Sequence, residues 1–315
     1  MANRTAIGPA AGNQSLRRGR RHPTERVIGV LLVVAALVSI ATTVGIILAL
    51  VEPAIEFFRD VSIVDFLTGT SWTPTFAQKS YGVLPLVVGT LLVTSIALVI
   101  AIPLGIGSAI YLAEYASDRA RTLLKPVLEL LAGVPTVVYG FVALFALNPI
   151  LQKYWPGGSG PSFQNLLVAG IAMGVMIVPT IASISEDAMS AVPHSLREGA
   201  YALASTQMQV ATRVVVPAAI SGIVAAVVLG ISRAIGETMI VTIAGGLISS
   251  EVDFNPLHAI ETMTAYIAAV SSGDIPVGSI EYKSVFAVGL LLFVVTFVLN
   301  AFSIRLVRKF REVYE

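Results

Sequence analysis

Residues 89–113 read "GTLLVTSIALVIAIPLGIGSAIYLA", and no residue in this stretch is charged. An α-helix rises about 1.5 Å per residue, so roughly 20 apolar residues span the hydrocarbon core of a bilayer. Residues 27–51 form a second uncharged run of comparable length. Both runs predict transmembrane helices, and a chain with several such runs is predicted to be a polytopic membrane protein.

The composition of the whole chain points the same way. Of its 315 residues, 56% are hydrophobic and 12% are charged, whereas about 25% of a typical soluble domain is charged. The chain has no cysteine, which excludes disulfides and thiolate metal sites, and its three histidines are scattered without metal-ligand spacing. We therefore predict an all-α membrane protein that holds neither a metal nor a cofactor.

Six transmembrane helices are predicted from the apolar runs and the polar segments between them. They cover residues 27–51, 83–113, 123–147, 166–184, 214–247 and 284–304. The last five form a helical core over 83–304. Polar segments rich in Pro, Gly and Ser, such as "WPGGSGPS" at 155–162, are predicted to be loops.

The distribution of Lys and Arg predicts the orientation of these helices, because basic residues favour the cytoplasmic side. With the N terminus inside, fifteen Lys and Arg residues lie in cytoplasmic segments and four in the opposite loops. Both tails, 1–26 and 305–315, are then cytoplasmic, and 52–82 is extracytoplasmic. The cluster "RRGRRH" at 17–22 is interpreted as the basic flank of the first helix in a disordered tail. An export signal is disfavoured because the apolar run after it is too long, and nothing calls for a nucleic-acid-binding arm.

The long cytoplasmic connection, residues 185–213, is too polar to cross the membrane but is predicted to contain a helix. Pro193 interrupts the chain, and Ser195 and Glu198 have the spacing of a capping box, in which each side chain accepts from a backbone amide. Leu196, Ala200, Leu203 and Ala204 then follow as an apolar stripe. This pattern predicts a short helix that lies on the cytoplasmic face.

The same segment resembles the cytoplasmic signature loop of ABC-importer permeases. The matching positions are Glu198, Gly199, Ala200 and Ala204, followed by "VVVP" ending at Pro217. The family pattern has alanine where this chain has Gly199 and glycine where it has Ala204. The resemblance implies that the segment is a coupling helix that docks on an ATPase subunit, with Glu198 in contact with that subunit.

Four further stretches resemble permeases of phosphate-specific ABC importers, and they cover much of the predicted core. They lie at 89–116, 128–145, 177–200 and 232–241. "RAIGETM" and the "SWTP" at 71–74 are more similar to the PstC-type subunit than to its PstA-type partner. The resemblance implies a half-pore in the bacterial cytoplasmic membrane, surrounded by lipid. Its partners would be a PstA-type permease, two PstB-type ATPase subunits and an extracytoplasmic PstS-type phosphate-binding protein, with no nucleic acid.

Arg233 and Glu237 lie inside the fifth predicted helix, where charge is costly. Arg233 comes 16 residues after Pro217, about 24 Å along a helix and therefore near mid-membrane. Two interpretations are open at this point. The two side chains, four residues apart, neutralise each other or hold helices together, or they line a polar path for an anion. The resemblance favours the second, because the matching residues of this permease type are implicated in phosphate translocation.

Other polar residues in the predicted spans are weaker candidates for the same path. Glu129, in the third predicted helix, either faces the path or lies at a helix end near the membrane surface. Thr238, Thr242 and Thr94 have hydroxyls that can donate to an anion, although threonine in membrane helices more often bonds its own backbone.

The chain contains no P-loop, since that motif requires Gly-Lys and no lysine here follows a glycine. The chain is therefore predicted to be a transport subunit and not an enzyme, with ATP hydrolysis on a partner. The alternatives are a secondary ion-coupled anion transporter, a permease of the same ABC family for another oxyanion, and a membrane signalling or scaffold protein. A secondary carrier more often has ten or more crossings with inverted repeats, and a scaffold has no need of Arg233.

Overall fold

A computed structural model describes residues 23–156, 160–248 and 251–309. Within these ranges the regular structure is helical, apart from two isolated β-bridges that pair Ser71 with Glu251 and Trp72 with Tyr81. The chain divides into two compact units, 1–49 and 50–315. The predicted disorder of residues 1–26 falls mainly on residues outside the described ranges.

Thirteen α-helices are assigned in the described residues. They are α1 Pro23–Asp60, α2 Ile63–Thr68, α3 Leu84–Ile110, α4 Asp118–Ala132, α5 Thr136–Val142, α6 Asn148–Tyr154, α7 Leu166–Ser190, α8 His194–Ala202, α9 Gln207–Val210, α10 Val216–Ala218, α11 Ile220–Ile235, α12 Met263–Ser272 and α13 Ile280–Lys309. Four π-helical turns follow α3, α5, α9 and the break after α11, at Tyr111–Tyr115, Ala143–Leu147, Ala211–Val215 and Val241–Gly245. Five helical stretches are long and apolar enough to cross a membrane, and a sixth is a bent pair.

The core of the second unit is built from α3, α7 and α11, and glycines bring these helices together. A Cβ added at Gly170 would lie 2.6 Å from Ile96 Cγ2 on α3. Farther along, a Cβ added at Gly105 of α3 would lie 2.8 Å from Ile181 Cβ on α7. From the first contact to the second the residue numbers rise in both helices, so α3 and α7 run parallel. Small residues that allow close backbone approach are typical of membrane helix packing.

The third crossing differs from the predicted helix over 123–147. The helix that contains residue 123 ends at Ala132, and Gly133 and Pro135 separate it from α5. The apolar stretch that can span is Thr136–Tyr154. A proline lacks an amide donor and disfavours helical backbone in the residue before it, so a helix cannot run smoothly through Val134–Pro135.

The fifth crossing is broken twice, whereas one helix over 214–247 was predicted. The segment Gln207–Ala218 meets α11 at an angle of 72°. At the other end α11 stops at Ile235, residues 236–238 are not helical, and a short helical stretch resumes at Met239. The fifth crossing is therefore discontinuous at Glu237, and Arg233 lies in the last helical turn before the break.

The two ends of the second unit have different chemistry. At one end, called the aromatic end and formed by residues 61–83, 246–248 and 251–279, rings pack edge to face, for example Trp72 against Tyr266 at 4.9 Å between centroids. At the other, called the ion-pair end and formed by residues 111–125 and 187–213, charged side chains tie helix ends together. α3 and α7 both run from the aromatic end to the ion-pair end.

The glycine contact between α3 and α7 makes a testable prediction. Gly170→Ala would place its methyl group against Ile96 Cβ and Cγ2, at 2.7 and 2.6 Å, and overpacking of this kind costs about 1–3 kcal/mol. We expect a lower melting temperature of the purified protein in detergent. Gly107→Ala on α3 is the matched control, because its new methyl group meets nothing within 4 Å. Equal melting temperatures for the two variants would contradict the packing described.

Candidate functional site

Arg233 lies in the last turn of α11 and is partly buried. Its Nη1 donates a hydrogen bond to Thr180 Oγ1 on α7 at 3.3 Å. α11 packs against α7 through Gly230, whose added Cβ would lie 3.0 Å from Ile181 Cδ1. That close approach brings the guanidinium to α7 and leaves most of its N–H groups free of partners within the described residues.

Glu237 does not pair with Arg233 in the described part of the chain, so the intrahelical ion pair that the spacing made available does not form. The spacing of four residues joins two side chains only when the helix continues between them, and here α11 ends at Ile235. The Glu237 carboxylate instead accepts from the amides of Met239 and Ile240, at 3.1 and 3.3 Å. It therefore caps the short helical stretch after the break.

The backbone at the break is also held from outside. Thr264 Oγ1, on α12, donates to the carbonyl oxygen of Glu237 at 2.7 Å. Thr262 caps α12 by accepting from the amide of Ala265, and the amide of Met263 donates to Thr90 Oγ1 on α3 at 3.1 Å. The break is thus fixed by side chains of α12, which is in turn fixed to α3.

The other predicted path residues are placed differently from one another. Thr242 Oγ1 donates to the carbonyl of Thr238 at 2.7 Å, and Thr238 Oγ1 lies 3.4 Å from the carbonyl of Gly236, so both bond their own backbone. Thr94 is buried on α3, and its hydroxyl has no partner in the described residues. Glu129 is exposed on α4, outside the third crossing. Glu129 was expected in the third crossing, facing the path or at a helix end, and its placement in that crossing is wrong because the span begins after Pro135.

The predicted signature segment is α8 and the turn that follows it. The helix begins at His194 with Pro193 as its N-cap, so Ser195 already lies inside the helix and makes no capping bond. The predicted capping box of Ser195 and Glu198 is therefore wrong. A capping box does form one helix later, where Thr206 and Gln209 exchange side-chain and backbone hydrogen bonds.

Ala204 explains how this chain accommodates the missing glycine of the signature. Its φ is 60°, and it is the one non-glycine residue with positive φ in the described ranges. Its amide donates to the carbonyl of Tyr201 at 2.9 Å, and the amide of Ser205 donates to the carbonyl of Ala200 at 3.2 Å. The turn therefore takes the left-handed conformation that glycine favours, at the cost of crowding the alanine Cβ.

Arg197 anchors α8 to the ion-pair end, and sequence reasoning missed this role. Its guanidinium donates to Glu114 Oε1 at 3.0 Å and to the carbonyls of Met189 and Val192 at 2.8 and 2.6 Å. The Arg197 and Glu114 side chains are 11% and 5% exposed. The pair therefore joins the end of α7, the end of α3 and α8. The available signal was Glu114, the first charge after the long apolar run.

A second ion pair fixes α4 to α7 at the same end. Lys125 Nζ donates to Glu186 Oε2 at 2.6 Å and to Asp187 Oδ1 at 3.0 Å. The Glu186 side chain is 4% exposed, and its other oxygen accepts from Ser190 Oγ. The two carboxylates raise the pKa of Lys125, so the lysine remains charged in its partly buried position.

Beside these anchors, α8 and its turn present an exposed surface. Glu198 and Gly199 are exposed, and an added Cβ at Gly199 would meet nothing within 4 Å. Leu203 is 84% exposed and Met208 68%. An acidic side chain beside exposed apolar residues on a rigidly held turn suits contact with another protein.

Comparison with known sequences identifies a family. Residues 101–312 match the family described as binding-protein-dependent transport system inner membrane component. The chain is 40% identical over 276 residues to a probable ABC transporter permease protein, YqgH, of Bacillus subtilis, covering 87% of this chain and 88% of that protein. It is 36% identical over 254 residues to the phosphate transport system permease protein PstC of Mesorhizobium japonicum, covering 76% of each.

Solved structures with the same fold are also ABC transporters. The structure is similar to a chain of a bacterial alginate ABC transporter bound to its periplasmic protein, with a TM-score of 0.62 and 16% identity over 92% of this chain and 98% of that one. A chain of the MetNI methionine ABC transporter gives 0.52 and 17%, over 73% and 94%. The predicted all-α permease fold is confirmed.

The strained turn after α8 predicts that Ala204→Gly stabilises this segment by about 0.5–1 kcal/mol, because glycine adopts φ near 60° without crowding. Hydrogen exchange of the backbone amides of residues 194–210 should slow by a few-fold. Ala202→Gly, at the last residue of α8, is the control with the opposite sign, since glycine in a helix costs up to about 1 kcal/mol relative to alanine. Faster exchange in Ala204→Gly would show that the turn does not hold a left-handed residue.

Proposed function

The chain belongs to the family of binding-protein-dependent transport system inner membrane components, and we propose that it is a permease subunit of an ATP-driven importer of inorganic phosphate. The observation that carries this proposal is the likeness, over about three-quarters of the chain, to proteins named as phosphate transport permeases. Membership of this family favours an ATP-driven importer over an ion-coupled carrier or a scaffold.

The subunit forms half of a pore in the bacterial cytoplasmic membrane. Its partners are a second permease of the PstA type, two ATPase subunits of the PstB type and an extracytoplasmic phosphate-binding protein of the PstS type. The chain itself has no P-loop. Energy therefore enters through contacts with the ATPase, and the exposed surface around Glu198 and Leu203 is the proposed contact.

The sidedness follows from the basic residues. The ion-pair end carries the connections rich in Lys and Arg and is placed in the cytoplasm, together with both termini. The aromatic end then faces outward, where the binding protein docks. This orientation puts α8 on the same side as ATP.

Arg233 is the proposed contact for phosphate in the pathway. A phosphate ion that leaves water needs oriented donors in place of its hydration shell, and a guanidinium offers two parallel donors to two oxygens. In the described residues Arg233 forms one hydrogen bond, to Thr180, and no ion pair. Its remaining donors are therefore available to an anion.

Glu237 has two proposed roles. Its carboxylate caps the helical stretch after the break, so it stabilises the discontinuity that ends α11 just beyond Arg233. Its negative charge, four residues from the Arg233 guanidinium, also opposes tight binding of phosphate by repulsion. The negative charge thus favours release of phosphate over its retention.

We expect Arg233→Gln and Glu237→Gln to reduce phosphate uptake while the complex still assembles. Loss of charge-assisted hydrogen bonds to phosphate costs about 2–3 kcal/mol, which corresponds to roughly 30- to 150-fold in uptake for Arg233→Gln. Glu237→Gln should have a smaller effect, because glutamine can still accept from the capped amides. The measurement is uptake of labelled phosphate by proteoliposomes that contain the complete importer. Arg59→Gln, an exposed arginine outside the core, is the control, and normal uptake by both pathway variants would refute the assignment.

We expect Glu198→Ala to weaken coupling to the ATPase without unfolding the permease, because Glu198 is exposed and caps no helix. A partly exposed charge contact between proteins is worth about 1 kcal/mol, so stimulation of ATP hydrolysis by the phosphate-loaded binding protein should fall roughly fivefold. Asp118→Asn is the control, since Asp118 is an exposed acid at the same end. The idea fails if the two variants are stimulated equally.

A further inference from the structure

A cavity of about 310 Å³ lies at the aromatic end, away from Arg233 and α8. Its walls come from the "SWTP" segment and the residues after it, from the segment that follows the fifth crossing, and from α12. The side chains that matter here are Trp72, Phe76, Ile248, Glu261, Tyr266 and Val270. The volume is at the lower end of the range for ligand pockets, about 300–1,000 Å³.

Glu261 is the charged group in the wall of this cavity. It is 7% exposed, and in the described residues its carboxylate accepts no hydrogen bond and joins no ion pair. The nearby lysines are already engaged, Lys79 with Glu281 and Lys283 with Glu56. A buried carboxylate without a partner is costly, and burial raises the pKa of Glu261 to about 8.

The rest of the wall suits a cation on an apolar stem. Trp72 and Tyr266 are 1% and 3% exposed and stand edge to face, so aromatic surface lies beside the carboxylate. Phe76 and Ile248, which are 61% and 66% exposed, provide apolar surface toward solvent. Aromatic faces attract guanidinium and ammonium groups, and the long methylene stems of Arg and Lys pack on apolar surface.

The charge of the surrounding segments has the same sign as Glu261. Residues 52–82 and 248–283 together carry nine Asp and Glu against three Lys and Arg. Such a surface attracts a basic protein surface and disfavours free phosphate. The occupant of the cavity is therefore expected to be a basic group presented by a protein, not the transported anion.

We propose that this cavity receives the side chain of an arginine or lysine from the extracytoplasmic binding protein, with Glu261 as its counter-charge. The proposal rests on the proposed function, because it requires that partner. An incoming guanidinium or ammonium group supplies the missing partner of the buried carboxylate, and the apolar rim takes up its stem.

The position of Glu261 links the cavity to the break in the fifth crossing. Three residues further along the chain, Thr264 holds the carbonyl of Glu237. The amide of Glu261 itself donates to the carbonyl of Ile248 at 3.2 Å, on the chain that leads out of the break. A basic side chain that moves Glu261 therefore acts on the segment that carries Thr264, whose hydroxyl holds the carbonyl of Glu237 at the break.

The first experiment uses variants of the complete importer in lipid nanodiscs. The dissociation constant of the phosphate-loaded binding protein is measured for wild type, Glu261→Gln and Glu251→Gln, an exposed acid of the same segment that serves as the control. Removing one partner of a buried charge pair weakens binding by well over tenfold. We expect at least tenfold weaker binding for Glu261→Gln and less than twofold change for Glu251→Gln. Equal affinities for wild type and Glu261→Gln would overturn the proposal.

The partner residue is identified by a double-mutant cycle. Each surface Arg and Lys of the binding protein is changed to Ala and tested against wild type and Glu261→Gln. We expect one basic residue whose loss weakens binding to wild type but not to Glu261→Gln. If every basic residue acts independently of Glu261, the proposal is wrong, and Glu261 is a buried acid that holds only a proton.

A third measurement needs no variant and so does not depend on folding. n-Propylguanidinium, but not the neutral n-propylurea, should compete with the binding protein and lower its stimulation of ATP hydrolysis. Equal effects of the two compounds would count against a cation site. Phosphate uptake is measured in parallel on the same importer. If the importer takes up phosphate normally but Glu261→Gln binds the binding protein as wild type does, only this inference is refuted. If the wild-type importer takes up no phosphate, the proposed function is refuted.

Discussion

A helix that breaks inside a membrane must find partners for its freed backbone groups, because lipid supplies none. In this chain the break at residues 236–238 meets that requirement with side chains. The Glu237 carboxylate accepts from two amides beyond the break, and Thr264 donates to the carbonyl of Glu237. The discontinuity is therefore a fixed feature of the fold, and it determines where α11 ends and where Arg233 lies.

The glycine contacts of α7 set the rest of the geometry. α7 packs on α3 through Gly170 and on α11 through Gly230, so all three helices approach closely around one element. Thr180 lies on that element and contacts Arg233. At the end of α7, Arg197 ties its last carbonyls to Glu114 and to α8. A change in the position of α7 therefore reaches both the guanidinium and the proposed contact with the ATPase.

Local sequence patterns predicted the features that depend on neighbouring residues, and they failed for features that depend on contacts between distant residues. Uncharged runs predicted the membrane-crossing segments, because hydrophobic length alone is sufficient for that. The third crossing begins later than predicted because Gly133 and Pro135 end the helix, although the apolar run continues through them. The possible pairing of Arg233 with Glu237 required an intact helix, and the break between them is held by Thr264, 27 residues away in the chain. Glu261 had no local signal at all, since its burial comes from segments that are distant in sequence.

The buried acids of the described residues show why Glu261 stands apart. Glu186, Glu237 and Glu261 are all less than a tenth exposed, and burial of a charge is costly without compensation. Glu186 is compensated by Lys125, and Glu237 by two backbone amides. Glu261 has neither a cation nor a donor in the described part of the chain, although it borders an open cavity with aromatic walls. The two compensated acids serve the architecture of the subunit, whereas Glu261 is placed to receive a partner from another molecule.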